Sequence, residues 1–152
     1  MDAIDKVILG KLVRDGRISF RDLAERVRLS PTATAERVRR LQESGIISGF
    51  RAELDLAALG RPLRAFIDVR LGPGLDHGER EVKLLSLPAV LGGVHVTGRW
   101  DYTLTVACRD VADLDELVMA LSRDYGVVET NTRLLLRDLA GSGSDALVAL
   151  LS

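Results

Sequence analysis

Apolar residues recur at helical spacing from the start of the chain, with Ile4, Val7, Ile8, Leu12 and Val13 falling on one side of a 3.6-residue period. The pattern stops at Asp15-Gly16, where a left-handed glycine would cap the helix. Ser19 is placed as an N-cap with Asp22 three residues on, and Phe20, Leu23, Ala24 and Val27 form the apolar side of a short second helix. After Arg28-Leu29, Ser30 supplies another N-cap and Pro31 the first helical position, predicting a third helix to about Ser44-Gly45. Two short helices joined by a tight turn, behind a packing helix, predict a helix-turn-helix whose second helix enters a DNA major groove.

The period then changes. Residues 46–54 offer alternating apolar positions around Gly49, which predicts a small β-ribbon or wing, and residues 55–62 contain the Gly and Pro of a hinge. Leu63, Ala65, Ile67, Val69 and Leu71 alternate with Arg64, Phe66, Asp68 and Arg70, as in a strand with one buried face. A helix follows over 79–87 with Val82, Leu84 and Leu85 apolar, then strands over 90–97 and 102–108 flanking a turn at Gly98-Arg99-Trp100-Asp101. A helix over 111–122 carries Leu114, Leu117, Val118 and Leu121 on one face, and the last strand spans 127–136. The order β-α-β-β-α-β predicts a ferredoxin-like sheet with helices on one face and Phe66, Asp68, His95, Thr103, Thr105 and Ala107 projecting from the other. The predicted class is α+β: a winged helix-turn-helix over 1–54, a linker over 55–62, the ferredoxin-like domain over 63–137 and a C-terminal tail over 138–152. The tail is either a flexible link plus a small apolar helix that packs on a neighbouring subunit, or a frayed terminus.

Composition narrows the function. The 152 residues are 47% hydrophobic and 28% charged, ordinary for one globular domain or two small ones. No run approaches the ~20 apolar residues of a membrane helix, and the N-terminus is acidic where a secretory signal would be basic, so a soluble cytoplasmic protein without membrane contact is expected. One Cys (Cys108) and two His (His77, His95) predict no disulfide, no metal site, no cofactor and no catalytic residues, because neither His has a partnered acid or nucleophile at recognisable spacing. The net charge of −1 divides unevenly: residues 17–51 carry eight Arg against four carboxylates, a net +4, while residues 61–152 carry ten basic against thirteen acidic side chains. A basic module beside an acidic one is the signature of a local phosphate-binding surface.

The DNA face follows from helical angles. At ~100° per residue, Thr34, Val38 and Leu41 cluster inward on the third helix, Thr32, Glu36, Arg39, Arg40 and Glu43 lie opposite, and Arg37 sits on the flank. Arg37, Arg39 and Arg40 suit phosphate or guanine; Ser30, Thr32 and the helix N-terminus suit a phosphate; Glu36 suits cytosine N4 or the exclusion of wrong sites; Arg51 suits a phosphate from the wing. A solvated Arg/Glu face on an ordinary helix has the same composition.

The run Asp2-x-x-Asp5-x-x-Ile8-Leu9-x-x-Leu12-x-x-Asp15-Gly16-Arg17-Ile18-Ser19, followed by Asp22-Leu23-Ala24, Val27, Leu29-Ser30-Pro31-Thr32 and Glu36-Arg37-Val38-Arg39-Arg40-Leu41, resembles the Lrp/AsnC (feast/famine) transcription regulators. Thr34 departs from the aliphatic residue or Cys usual there. The resemblance continues through Val96-Thr97-Gly98-x-x-Asp101-Tyr102 and Gly126-Val127-x-x-Thr130-x-Thr132. It implies a sequence-specific regulator of double-stranded DNA, a homodimer paired sheet to sheet, further assembly such as an octamer, and a small effector, commonly an amino acid, bound between subunits. By the same carry-over Gly98, Trp100, Asp101, Tyr102, Thr130 and Thr132 are the candidate effector residues. For Gly98 and Asp101 the turn alone is an equal explanation, and Arg99-Trp100 is bulkier than the family's usual pair. Two other functions stay open: an effector-independent DNA-architectural protein, and an enzyme resembling the sirohaem decarboxylases, which share this two-module architecture.

Overall fold

The first helix, α1 (Ala3–Arg14), begins at a reciprocal cap in the computed structural model, which describes residues 1–74, 76–139 and 143–151. Asp2 accepts the Asp5 N–H at 2.9 Å while Asp5 accepts the Asp2 N–H at 2.8 Å, satisfying two donors that a helix start leaves orphaned. The other end differs from expectation. Asp15 leaves the helix in extended conformation and Gly16 is not left-handed; the Asp15 N–H reaches the Lys11 carbonyl instead. Helices α2 (Phe20–Val27) and α3 (Pro31–Glu43) start at Ser19 and Ser30, whose hydroxyls accept the Asp22 and Ala33 N–H groups at 3.1 Å. The core of this unit is Ile8, Leu9, Leu23, Val38 and Leu41. Thr34 is wholly buried among these helices, and its hydroxyl donates to the Ser30 carbonyl at 3.0 Å, so the polar departure leaves nothing unsatisfied. Val7 and Phe20, read as apolar-face residues, are nearly half exposed at the edge of the small core.

The chain forms two compact units, residues 1–53 with the segment from Leu139 onward, and Leu54–Asp138. The C-terminal segment therefore belongs with the helix-turn-helix. Its helix α6 (Gly143–Leu150) packs on α1 of its own chain, where Val148 lies over Gly10 and Arg14 meets Asp145 at 3.1 Å. Of the flexible link read at 140–145, residues 140–142 lie outside the described residues, as does the His77 side chain, and residues 143–145 open α6 instead. Residues 46–54 contain no strand, because no partner strand among the described residues completes a ribbon.

The second unit opens with a closed turn where a hinge was expected: Asp55 accepts the Ala57 and Ala58 N–H groups, and Arg61 N–H reaches the Leu56 carbonyl. Then follow β1 (Leu63–Leu71), α4 (His77–Leu85), β2 (Val90–His95), β3 (Tyr102–Cys108), α5 (Val111–Asp124) and β4 (Val127–Leu134). The antiparallel sheet has the order β2-β3-β1-β4, the ferredoxin-like arrangement expected. Ala65, Ile67, Val69, Leu104, Val106, Leu117 and Leu121 bury the face under the helices. Two expectations change here. Val82 and Leu85 of α4 are exposed, and the helix buries Leu84 together with Arg80, whose guanidinium donates to the Gly72 carbonyl at 2.8 Å. His95 pairs with Tyr102, so it lies on the helix side of the sheet and not on the open face; β2 ends there, short of Thr97. On the open face Asp68 is buried beneath hydrogen bonds from Thr103 (2.7 Å), Asn131 (3.1 Å) and Arg133 (2.9 Å). No helix among the described residues is long and apolar enough to cross a membrane.

The turn between α2 and α3 carries local strain. Arg28 adopts a left-handed conformation (φ 55°) that costs a residue with a Cβ about 1 kcal/mol relative to glycine. Arg28→Gly is expected to raise the unfolding free energy by roughly 0.5–1 kcal/mol in urea melts with an unchanged m-value. A lower midpoint would show that the Arg28 side chain contributes more than the turn strain costs.

Candidate functional site

Helix α3 separates its faces as its angles dictate, with Thr34, Val38 and Leu41 buried and Thr32, Glu36, Arg39, Arg40 and Glu43 exposed. Ser30 caps the helix, so its hydroxyl already accepts a backbone N–H, and Thr32 stands free in the first turn. The arginines, alike in sequence, differ in structure. One Nη of Arg37 donates to Asp2 and to Asp5 at 2.7 Å each, linking α3 to the cap of α1; this side chain is only 21% exposed. Arg39 donates from Nε and one Nη to the two oxygens of Glu36, at 3.0 and 2.6 Å, and from the other Nη to Glu43. Arg40 is exposed and makes no hydrogen bond or ion pair among the described residues, and the same holds for the side chain of Arg51.

Electrostatics follow these contacts. The Asp2 carboxyl is held below its ordinary 3.8 by the Asp5 N–H and by Arg37, and the Asp5 carboxyl by the Asp2 N–H against some opposing burial, with Arg37 adding to it. Glu36 is lowered by its hydrogen bonds from Arg39. Angles placed Arg37 on the flank but did not show that it is engaged. The signal was present in Asp2-x-x-Asp5, a capping-box spacing that sets two carboxylates at one helix start.

The second candidate region lies at the β2–β3 turn. Gly98 occupies φ +107°, which favours glycine, and open space surrounds it. Asp101 accepts the Leu71 N–H at 2.7 Å through its carboxylate, and its own N–H reaches the Val69 carbonyl at 2.9 Å. Its carboxylate thus ties the turn to the end of β1. Trp100 is half-buried under the Arg99 guanidinium, 5.0 Å from the ring centroid. Tyr102 stacks on His95 with ring centroids 4.9 Å apart and donates its hydroxyl to Glu81 at 3.0 Å. Burial and the Glu81 carboxylate push its phenol up to about 12. A cavity of about 160 Å³ opens between α4 and the sheet, lined by Glu81, Leu84, Leu85, Gly93, His95, Tyr102 and Leu104.

Among the candidate effector residues only Tyr102 lines that cavity. Thr130 and Thr132 pair with Val69 and Ile67 on the far side of β1 from β3, so Tyr102 and Thr130 stand two strands apart, roughly 10 Å across the sheet. One chain therefore does not gather these residues into one pocket. Glu81 and His95, which sequence reasoning missed, join Tyr102 because the register puts His95 on the helix side. Cys108 is buried, which raises its thiol and leaves it an inert core group. No group of His, Cys, Asp and Glu among the described residues has the geometry of a metal site.

Residues 1–42 match the AsnC-type helix-turn-helix domain, and residues 64–144 match the Lrp/AsnC ligand binding domain. The chain is 38% identical over 145 residues to the HTH-type transcriptional regulator AldR of Mycolicibacterium smegmatis, covering 93% of this chain and 85% of that protein. It is 35% identical over 142 residues to the leucine-responsive regulatory protein of Haemophilus influenzae, covering 91% and 86%. Its fold matches the crystal structure of a transcriptional regulator from Neisseria meningitidis in complex with L-Met, with a TM-score of 0.85 and 28% identity over 95% of each chain.

The Arg37 contacts imply a pH signature. Folding lowers both carboxyl pKa values, so the clamp contributes fully above the unfolded value near 3.8 and is lost as pH falls through the lower folded values. Arg37→Ala is expected to lower Tm by a few degrees at pH 7 and to melt with the parent near pH 2. An equal loss at both pH values would assign the effect to packing of the Arg37 stem.

Proposed function

The chain belongs to the Lrp/AsnC family of transcription regulators, with a DNA-binding helix-turn-helix and a ligand-binding domain, and we propose that it reads specific double-stranded DNA sequences through the outer face of α3. The observation that carries this reading is the separation of α3 into a sealed inner face and a solvent face bearing Thr32, Glu36, Arg39 and Arg40. Arg40 is free to grip a phosphate or a guanine edge, Ser30 and Thr32 stand at the helix N-terminus where backbone N–H groups favour phosphate, and Arg51 adds a phosphate contact from the 46–54 segment. Arg37 contributes by position: its guanidinium holds α3 on α1.

An amino acid or a related small effector, bound between subunits, adjusts this binding. The ligand-binding domain and the L-Met complex of the Neisseria relative support that reading. Gly98, Trp100, Asp101 and Tyr102 contribute from one chain, with Asp101 shaping the turn, while Thr130 and Thr132 lie across β1 and serve a site completed by another subunit. The open sheet face, where Phe66, Leu91, Val94, Thr103 and Thr105 line an apolar recess of about 330 Å³, suits pairing into a homodimer, with further assembly such as an octamer.

Fluorescence anisotropy with the DNA upstream of its own gene and a scrambled duplex, over a salt series with and without mixed amino acids, tests this function. We expect at least ~10³-fold preference for the upstream DNA, altered by amino acids. Arg40→Ala should flatten the salt slope by ~0.9, the value of one lost phosphate contact. Binding to both duplexes within about tenfold would favour the architectural reading. An unchanged slope in Arg40→Ala would remove α3 as the contact face.

A further inference from the structure

The solvent stripe of α3 is electrically neutral, which is unexpected for a surface that meets a polyanion. Glu36, the adjacent pair Arg39 and Arg40, and Glu43 are about one turn apart, two carboxylates against two guanidinium groups, while Arg37 is engaged with α1. The two outward arginines are not equivalent. Every guanidinium nitrogen of Arg39 donates to a carboxylate of its own helix: Nε and one Nη fork onto Glu36, and the other Nη meets Glu43. A bidentate carboxylate presents the same pair of acceptor oxygens in the same plane as a DNA phosphate. Arg40, one residue on, has no such partner among the described residues.

We propose that Glu36 and Glu43 occupy Arg39 in place of DNA phosphate and so withhold it from non-specific DNA. This rests on the reading that the outer face of α3 meets DNA, and it assigns the two glutamates a specificity role. On a random duplex the protein then engages the backbone through Arg40 and its neighbours while Arg39 stays folded back on its helix. On a sequence that offers Glu36 a donor of its own, such as the N4 amino group of cytosine, the fork opens and Arg39 is released to the DNA. Reading a base and gaining a phosphate or guanine contact become one event. Each exposed pair holds Arg39 by only about two- to fivefold, so a specific sequence can open both while the weak non-specific encounter does not.

The test is a double-mutant cycle on a random-sequence 30-bp duplex, read by anisotropy at several salt concentrations with the full chain. The proteins are the parent, Glu36→Gln/Glu43→Gln, Arg39→Ala and the triple variant, with Arg40→Ala as the check on the face itself. All the substitutions are on exposed helix positions and keep good helix formers, and circular dichroism checks folding. We expect the double glutamine variant to bind the random duplex roughly tenfold more tightly, with a salt slope steeper by ~0.9. In the Arg39→Ala background that gain should fall below about threefold, and Arg39→Ala alone should change parent binding by less than about twofold. A gain of equal size with and without Arg39 would overturn the proposal, because the glutamates would then act by direct repulsion of phosphate. So would a loss in Arg39→Ala as large as that in Arg40→Ala, since Arg39 would already be on the DNA. If Arg40→Ala leaves binding unchanged as well, the α3 reading itself fails and takes this inference with it.

Discussion

Arg37 is the interaction on which the rest of the helix-turn-helix surface depends. Its guanidinium meets two carboxylates, Asp2 and Asp5, that already cap α1, so one cation satisfies the start of one helix and fixes the lie of another. Removing it would leave two carboxylates side by side at a helix start, eased only by their reciprocal backbone N–H bonds, the helix dipole and solvent. The apolar core beneath is small: Ile8, Leu9, Leu23, Val38 and Leu41. In so small a core, hydrophobic burial supplies most of the stability and is non-directional, while a charge-assisted contact at the edge adds a directional constraint on α3. Which side of α3 meets solvent depends on this lie, whereas the contrast between the engaged Arg39 and the free Arg40 is set within α3 by Glu36 and Glu43.

The ligand-binding unit solves a similar problem on a sheet. Asp68 points away from the helices yet is buried, and burial alone would raise its pKa; Thr103, Asn131 and Arg133 more than offset this and keep it ionised. Every hydrogen bond it accepts comes from a neighbouring strand, so the open face is a prepared polar platform beside the apolar recess at Phe66, Leu91 and Val94. At the end of β1 the Asp101 carboxylate, and on the helix face the Tyr102–Glu81 pair, tie the β2–β3 turn to β1 and α4. A ligand that disturbs this turn would therefore be felt at both neighbouring elements.

Much of the fold was legible because it is local. The caps at Ser19 and Ser30, the alternation of β1 and the inward triad of Thr34, Val38 and Leu41 depend on residues within a few positions of one another, and the structure has each of them. What sequence could not show depends on distant partners. Arg37 meets residues more than thirty positions away. Arg80 takes a buried place beside Leu84 because a carbonyl at Gly72 awaits it. His95 changes face through the irregular pairing of β2, a register shift that strict alternation does not foresee. Residues 46–54 have strand-like alternation but no partner strand among the described residues, and α6 packs on α1 with Val148 over Gly10, a residue far away in the chain. The family resemblance supplied the effector residues, and the structure divides them between two sides of β1.

In the proposed function DNA meets one compact unit and the ligand meets the other. Backbone amide NMR of the full chain, with a duplex of its upstream DNA added stepwise, tests that division most directly. The expected shifts are concentrated at residues 30–40 and around Arg51, with β1 and β4 nearly unchanged. Shifts centred on β1 and β4, with α3 unaffected, would contradict that division.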